Sequence, residues 1–362
     1  MGIFSIQIEN FKSIQKTEAI EIKPINILIG SNGVGKSNFI SFFKLLNRIY
    51  AQKLQFYVSQ NGRSDNFLYF GRKKSNFLSG TITFDNDWKN EYSFKLVPDQ
   101  SDSLIFEEEW SNYNDPNKRI QNRSLINNSG SLESVLKDDS GWRNKYLREQ
   151  LVGLKIFHFH DTGFNSKIKQ PSNTQDNVFL SEDGGNIAAF LFKLKKSKPL
   201  HFNIIEKVIQ SIAPFFDGFF LEPDATNPEQ IYLRWFEKNS EQMFTASNFS
   251  DGTLRMICLT TLLLQPNLPK VIIIDEPELG LHPFAISKLA GLISKASVSS
   301  QLIISTQSVN LVNMFAADDI IVVDRQNNQS VFKRQSNEAL SDWLAEYSIG
   351  EIWEKNLIGG RL

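Results

Sequence analysis

Cysteine is nearly absent from this chain of 362 residues, which contains Cys258 alone. A single thiol excludes an internal disulfide framework and a cysteine cluster around zinc, a pattern typical of the reducing cytosol. No apolar run approaches the roughly 18 to 20 residues of a membrane-spanning helix. The N-terminus also lacks the basic and apolar regions of a secretory signal. We therefore expect a cytoplasmic protein with no membrane partner.

An excess of charge of either sign is also lacking. The chain has 39 basic and 40 acidic residues, a formal net charge of -1. This balance gives no whole-chain argument for binding nucleic acid or membranes, although it leaves room for a local basic groove. Sustained heptad repeats, which a long coiled-coil arm requires, are missing as well. The composition is that of an ordinary folded domain.

A glycine-rich segment follows the apolar run 25–29 and precedes apolar residues at helical spacing. A strand, a glycine loop and a helix in this order predict a phosphate-binding P-loop, because glycine lets successive backbone N–H groups turn toward a triphosphate. Lys36 is expected to hold the β and γ phosphates, and the Ser37 hydroxyl to ligate Mg²⁺. The predicted ATP-binding residues of this loop are Gly30, Ser31, Asn32, Gly33, Val34, Gly35, Lys36, Ser37 and Asn38.

Two acidic residues follow a second apolar run, 271–274. Asp275, at the end of a buried strand, is expected to ligate Mg²⁺ beside Ser37. Glu276 places a second carboxylate where it can act as the general base on the attacking water. The pair therefore predicts hydrolysis of ATP in addition to binding.

These two segments, together with residues 248–253, 274–283 and 305–308, resemble the ABC-type P-loop ATPases of the SMC, RecF and OLD branch. The resemblance covers about residues 1–50 and 150–362. It implies an α/β fold: an ABC-type P-loop ATPase core with a mixed or parallel sheet, and an inserted β-rich and α-helical lobe.

The resemblance also assigns roles to residues outside the P-loop. Ser250, Asp251 and Gly252 look like the signature motif, which contacts the γ-phosphate bound to the opposite subunit, so an ATP-sandwich homodimer is implied. Gln307 stands where many relatives have a histidine, and its amide can still orient water.

Residues 10–13 resemble a segment that lies against the nucleotide, which makes Lys12 and Ser13 candidate phosphate or ribose contacts. A plain turn there, and a plain helix cap at Ser250, are the structural alternatives. His158 and His160 share one face of a predicted strand. We expect a structural role for them, since no third metal ligand is evident from the spacing.

Four segments are expected along the chain. Residues 1–50 form the N-terminal half of the core with the P-loop, and 51–150 an inserted β-rich lobe with a polar loop at 111–131. Residues 151–245 supply a core strand and an α-helical lobe. Residues 246–362 form the C-terminal half of the core, with a short docking tail.

Three functions remain open. The first is an ATPase that dimerises on ATP and controls a separate effector, a nuclease or toxin, in bacterial anti-phage defence, because only about 50 residues follow Gln307, too few for a further domain. The second is a DNA-clamping repair ATPase of the RecF or SMC kind, which makes DNA a candidate partner. The third is a nucleotide-binding scaffold with negligible turnover.

Overall fold

The computed structural model describes residues 2–87, 89–115, 120–139 and 141–360. Its strands are β1 (Ile3–Phe11), β2 (Ile14–Lys16), β3 (Ile20–Glu21), β4 (Ile25–Ile29), β5 (Leu78–Phe84), β6 (Glu91–Pro98), β7 (Leu104–Asp115), β8 (Ile120–Asn127), β9 (Leu154–Phe157), β10 (Ser172–Asn173), β11 (Phe216–Phe220), β12 (Gln230–Ile231), β13 (Arg234–Glu237), β14 (Met243–Thr245), β15 (Val271–Asp275), β16 (Gln301–Thr306), β17 (Ile320–Gln326) and β18 (Gln329–Arg334). Its α-helices are α1 (Lys36–Tyr50), α2 (Leu54–Gln60), α3 (Trp142–Val152), α4 (Ile187–Ser197), α5 (Pro199–Ile212), α6 (Asp251–Leu264), α7 (Pro283–Ala296), α8 (Val309–Val312), α9 (Ser341–Leu344) and α10 (Ile349–Glu354).

A six-stranded sheet in the order β18-β17-β4-β16-β15-β9 forms the centre of the fold. Strands β17 to β9 pair in parallel, whereas β18 pairs antiparallel with β17. Successive side chains of β15 alternate between two buried clusters: Ile272 and Ile274 enter one, and Ile273 enters the other. Both faces of the sheet are therefore covered, which explains its continuous apolar strands. The predicted α/β core is confirmed.

A second, antiparallel sheet runs in the order β2-β1-β5-β6-β7-β8, with β3 also paired to β1. Because β5 pairs with β1, the strands of residues 51–150 extend the sheet that the N-terminus begins. Phe42 of α1 stacks on Phe94 of β6, with ring centroids 6.0 Å apart. The predicted β-rich character is present, but this region shares a core with residues 1–50 instead of forming a separate lobe.

The polar loop predicted for residues 111–131 is wrong for residues 111–115 and 120–127, which lie in strands, whereas residues 128–131 form a turn as predicted. Strands β7 and β8 form an antiparallel ladder there, in which Trp110 pairs with Leu125. Leu104 and Phe106 are buried, which fixes the start of β7 in the sheet. The strand pairing then stabilises the extended backbone more than the asparagines that follow favour a turn. Pro116 and Asn117, part of the predicted loop, lie outside the described residues.

Helices α4 and α5 form the predicted helical part of residues 151–245, but this region also contains a three-stranded sheet, β11-β13-β14. Trp235 of that sheet stacks on Phe249, with ring centroids 4.4 Å apart and planes 14° apart. Phe249 immediately precedes the signature segment, so the small sheet supports the start of α6.

The C-terminal tail packs onto its own chain. Trp353 of α10 is only 5% exposed and packs in the buried core, while the docking role expected of the tail remains a prediction. The short helix α9, Ser341–Leu344, precedes α10 in this tail. Beyond α10, the Gly360 carbonyl accepts a hydrogen bond from the Ser31 N–H at 2.7 Å, so this part of the tail reaches the P-loop. None of the helices in the described ranges has the length and apolar character that a membrane crossing requires.

Candidate functional site

Three neighbouring parallel strands, β4, β16 and β15, end at the same edge of the central sheet. In their registers Ile29 lies opposite Thr306, and Ser305 lies opposite Asp275. The P-loop, Gln307 and Glu276 each follow one of these strands. The sheet thereby brings together residues that are far apart in sequence, and this edge is where open α/β sheets bind ligands.

The P-loop has the backbone conformation that its glycines allow. Gly33 and Gly35 have φ angles of 81° and 117°, in the left-handed region that side chains other than glycine rarely adopt. Gly35 caps α1 without a side-chain hydrogen bond, so N–H groups of the first turn are available to an anion. Asn32 and Ser37 of this loop are exposed, whereas Val34 is buried.

Lys36 is buried at the start of α1, with 5% of its surface exposed. Its Nζ donates to the carbonyls of Gly30 at 2.6 Å and Ser31 at 3.0 Å. Burial lowers the pKa of Lys36, and the carboxylates of Glu276, Asp275 and Glu278 oppose this shift. The lysine of the P-loop and the acidic residues after β15 therefore share one electrostatic environment, as the sequence predicts for an ATP site.

Glu276 and Gln307 meet directly, because the Gln307 amide nitrogen donates to the Glu276 carboxylate. The backbone of Glu276 has a φ of 42°, a strained value for this residue type, and its N–H donates to the Ser305 carbonyl at 2.9 Å. The Ser305 hydroxyl donates to the Asp275 carboxylate. Hydrogen bonds therefore hold both acidic residues in fixed positions at the end of the sheet.

Glu278 is a member of this cluster that the sequence analysis does not identify. Its buried carboxylate accepts from the Thr306 hydroxyl and from the Gln307 N–H, the latter at 3.1 Å. Burial raises the pKa of Glu278, and its hydrogen bonds to Thr306 and Gln307 oppose this shift. Glu278 thus ties the backbone of Gln307 to the segment after β15. The third acidic residue of the Asp-Glu-Pro-Glu sequence was the available signal.

Ser330 of β18 supports the P-loop from behind and is a second residue that the sequence analysis misses. Its hydroxyl donates to the Val34 carbonyl at 2.5 Å and lies 2.7 Å from the Ser13 hydroxyl. A Cβ atom at Gly35 would lie 2.1 Å from the Ser330 oxygen. Strand β18 has no apolar run, so its proximity to the P-loop could not be inferred from periodicity.

Residues 10–13 reach the start of α1. The Ser13 hydroxyl accepts from the Asn38 amide at 2.7 Å, and the Lys12 Nζ donates to the Ser41 hydroxyl at 3.1 Å. Lys12 therefore faces α1 one turn beyond Ser37. Contact of Lys12 or Ser13 with a nucleotide remains a prediction.

The signature segment forms the beginning of α6. Ser250 is the N-cap, and its hydroxyl accepts from the Thr253 N–H at 3.1 Å. A Cβ atom at Gly252 would lie 2.4 Å from the Gly280 carbonyl, so glycine is required for close packing against residues 279–282. Asp251 lies 3.7 Å from the Lys169 ammonium. The helix cap considered from sequence is therefore present, and a role in binding nucleotide in trans remains a prediction.

The two histidines after β9 lie next to the acidic end of β15. His158 follows Phe157, the register partner of Ile274, and the His160 Nε2 lies 2.8 Å from the Asp275 carbonyl. Burial and nearby Lys44 lower the pKa of His158 to about 4, which leaves it neutral at physiological pH. These contacts fit a structural role in supporting Asp275.

The residues at this edge fit a magnesium nucleotide. Free N–H groups at the start of α1 and the Lys36 ammonium suit phosphate oxygens. The exposed Ser37 hydroxyl and the Asp275 carboxylate are oxygen donors, which Mg²⁺ prefers. A cavity of about 410 Å³, lined by residues including Ser13, Asn38 and Phe70, adjoins the loop and has room for a nucleoside.

Curated relatives match the chain over most of its length. It is 23% identical to the Old nuclease of Escherichia phage P2 over 93% of the chain, but it spans only 62% of that protein. It is 21% identical to an ATP/GTP phosphatase of Helicobacter pylori, over 77% of each chain.

Solved structures share the fold. An Smc head bound to the C-terminal winged-helix domain of ScpA aligns with a TM-score of 0.62 at 15% identity, over 94% of this chain and 100% of that one. The Smc head domain from Pyrococcus furiosus, with an extended coiled coil and bound to the C-terminal domain of ScpA, aligns with a TM-score of 0.57 at 15% identity, over 95% of this chain and 99% of that one.

The model of one protein family matches residues 25–313, and its description is AAA domain, putative AbiEii toxin, type IV TA system. The match includes the P-loop, the signature segment and the acidic residues after β15. The chain therefore belongs to this AAA-domain family and is an ABC-type P-loop ATPase of the SMC and OLD branch.

Proposed function

We propose that this chain binds ATP with Mg²⁺ and hydrolyses it to ADP and phosphate. The observation that carries the proposal is the hydrogen bond between the Gln307 amide and the Glu276 carboxylate at the edge where the P-loop begins. A carboxylate can take a proton from a water molecule, and an amide can hold that water in position. Glu276 lies close enough to Lys36 for the two charges to interact.

Each residue of the cluster has a separate task in this proposal. Lys36 exchanges its two carbonyl partners for the β and γ phosphates, while Ser37 and Asp275 hold Mg²⁺. When bound, Mg²⁺ offsets the charge that builds up on the phosphate oxygens. Glu276 is the general base, and Gln307 orients the water. The nucleoside occupies the cavity beside Ser13 and Asn38.

Phosphate release by the purified protein tests the proposal, with Glu276→Gln as the variant. We expect release to fall by about 10² to 10⁴, the usual contribution of a general base, while ATP binding measured by calorimetry is retained. Glu346→Gln, the same substitution at an exposed glutamate outside the cluster, serves as a control for loss of charge. Background release from both the wild type and Glu276→Gln would instead favour a scaffold with negligible turnover.

We further propose that ATP joins two copies of the chain, and that Ser250 and Gly252 of one copy contact the γ-phosphate bound to the other. The exposed apolar side chains of Leu279 and Phe284 support this, because both lie close in sequence to Gly280, against which Gly252 packs. Glu276→Gln with ATP should elute as a dimer in light-scattering chromatography. The double variant Glu276→Gln/Ser250→Arg should remain monomeric, and dimerisation without ATP would contradict the sandwich.

The dimer is proposed to control a separate effector, a nuclease or toxin, in anti-phage defence. The similarity to the Old nuclease and the toxin in the description of the family support this proposal. Cells carrying the native operon should lose protection against phage when Lys36 is replaced by alanine. The effector should be recovered with the tagged protein, and unchanged protection in Lys36→Ala cells would contradict control by ATP.

A further inference from the structure

The residues that follow α10 lead back to the P-loop. Gly360 is buried, and its carbonyl accepts the hydrogen bond of 2.7 Å from the Ser31 N–H. Ser31 belongs to the loop that is expected to bind the phosphates of ATP, whereas Gly360 has no part in the chemistry proposed above. The contact therefore joins the nucleotide site to a segment outside the catalytic cluster.

Close packing of backbones brings this segment to the loop. Gly360 has a φ of 80°, in the left-handed region that favours glycine. A Cβ atom built on it would lie 2.9 Å from a methyl carbon of Val322 and 3.5 Å from the Gly30 Cα. A Cβ atom at Gly30 would in turn lie 2.3 Å from the Val323 carbonyl. Glycine thus allows the tail, β17 and the start of the P-loop to meet at one point.

The backbone around Ser31 is held from two directions. The Lys36 ammonium donates to the carbonyls of Gly30 and Ser31, whereas the Ser31 N–H donates to Gly360. In the proposed function, Lys36 leaves both carbonyls when it binds the β and γ phosphates. The bond to Gly360 does not involve Lys36, so it can hold Ser31 in place during this exchange.

The other end of the tail is attached beside Gln307. The N-cap of α8 is Ser308, which follows Gln307 directly. In α10, the Gly350 N–H donates to the side-chain oxygen of Asn313, the residue at the end of α8, at 2.7 Å. The tail thus runs from the helix that follows the proposed water-orienting residue to the start of the P-loop, and it bridges two sides of the site.

We propose that the tail segment, residues 349–360, fixes the P-loop in the conformation that binds ATP, and that Gly360 is the positioning residue. This inference rests on the proposed function, because it concerns the affinity of the same site for ATP. A loop that is ordered before its ligand arrives loses less conformational entropy on binding. Breaking the bond between Gly360 and Ser31 should therefore weaken ATP binding without altering a group that is expected to contact the nucleotide.

The variant Gly360→Ala tests this proposal in the full chain, since a Cβ atom there is too close to Val322. Gly130→Ala is the matched control: Gly130 also has a positive φ, 90°, but no described atom lies within 4 Å of a Cβ built on it. Titration calorimetry should show ATP binding on the order of tenfold weaker in Gly360→Ala, the loss that one hydrogen bond accounts for. The control should bind ATP like the wild type.

Two further measurements separate positioning from general destabilisation. Hydrogen exchange followed by mass spectrometry, without nucleotide, should be faster for the peptide that contains Ser31 in Gly360→Ala and unchanged in Gly130→Ala. Steady-state phosphate release should show a higher KM for ATP with kcat nearly unchanged, because the tail bond ends on Ser31 and not on a catalytic side chain. Thermal unfolding checks that each variant is folded.

A second variant, Asn313→Ala, loosens the other end of the tail without changing a residue of the P-loop, and it should weaken ATP binding to a smaller extent. Unchanged or tighter ATP binding in Gly360→Ala, or equal losses in Gly360→Ala and Gly130→Ala, would overturn the positioning role. Should Gly360→Ala not fold, an unchanged Kd for ATP in Asn313→Ala would overturn it. If the wild type binds no ATP, the proposed function fails instead, and the exchange measurement alone decides whether Gly360 holds Ser31.

Discussion

Helix α1 borders two positively charged sites whose charges are balanced differently. At its N-terminus, Lys36 interacts with the carboxylates of Glu276, Asp275 and Glu278. Further along the same helix, Lys44 and Arg48 share a cavity with three more lysines and one carboxylate, Glu182. Both sites suit phosphate, but three carboxylates surround the one lysine of the first, whereas five cations share one carboxylate in the lining of the second.

This difference in charge balance separates a site that can catalyse a reaction from a site that attracts anions. Around Lys36, hydrogen bonds fix Glu276 through Gln307 and fix Gln307 through Glu278, so the groups are held in position before a ligand arrives. The cations of the cavity attract anions over a longer range without orienting them. We therefore expect changes at the first site to alter affinity and turnover of ATP, and changes at the second to alter salt-dependent binding.

The largest effect should come from Lys36→Ala, which removes the cation that is expected to contact the β and γ phosphates. Loss of a buried charged hydrogen-bond partner costs about 2 to 5 kcal/mol, so the Kd for ATP should rise by about one and a half to three and a half orders of magnitude. Lys44→Ala removes the same charge from the cavity and should leave that Kd nearly unchanged. Titration calorimetry with ATP measures both. Equal losses would show that the two regions of α1 form a single site.

A smaller effect is expected when Glu278 is replaced by leucine, because Gln307 then loses the acceptor that holds its backbone N–H. The value of kcat should fall about tenfold, which corresponds to about 1.4 kcal/mol, with little change in KM for ATP. Glu278→Gln keeps an acceptor oxygen and should retain most of the activity. Steady-state phosphate release compares the two variants, and thermal unfolding checks that each is folded. If the glutamine variant is as slow as the leucine variant, the charge of Glu278 matters more than its geometry.

The order of strand, loop and helix around the P-loop could be predicted from sequence because periodicity and glycine placement are local signals. The same holds for Asp275 and Glu276, which follow a run of apolar residues. The buried parallel strand β15 is continuously apolar up to Asp275, and the apolar run 271–274 gave its position to within one residue.

Residues whose roles depend on tertiary pairing could not be found in this way. Ser330 lies on a mostly polar strand that reaches the P-loop only through its pairing with β17. The hairpin of β7 and β8 is rich in asparagine, and its extended form comes from the ladder with β6. The cations of the basic cavity come from α1, β9 and two loops, so no local run of basic residues in the sequence indicates it.

The smallest effect concerns Ser330, which supports the P-loop at the N-terminal end of α1, where carboxylates balance the charge of Lys36. Ser330→Ala leaves the Val34 carbonyl and the Ser13 hydroxyl without this partner, and it should lower the free energy of unfolding by about 1 to 2 kcal/mol. Ser287→Ala, at an exposed position near the start of α7, is the matched control and should lower the free energy of unfolding much less.

Urea unfolding measures all variants, including Ser13→Ala and Ser13→Ala/Ser330→Ala. Because the two hydroxyls touch, the losses should add to more than the loss in the double variant. Strict additivity would show that Ser13 and Ser330 support the P-loop independently, and that its position does not depend on contact between residues 10–13 and β18.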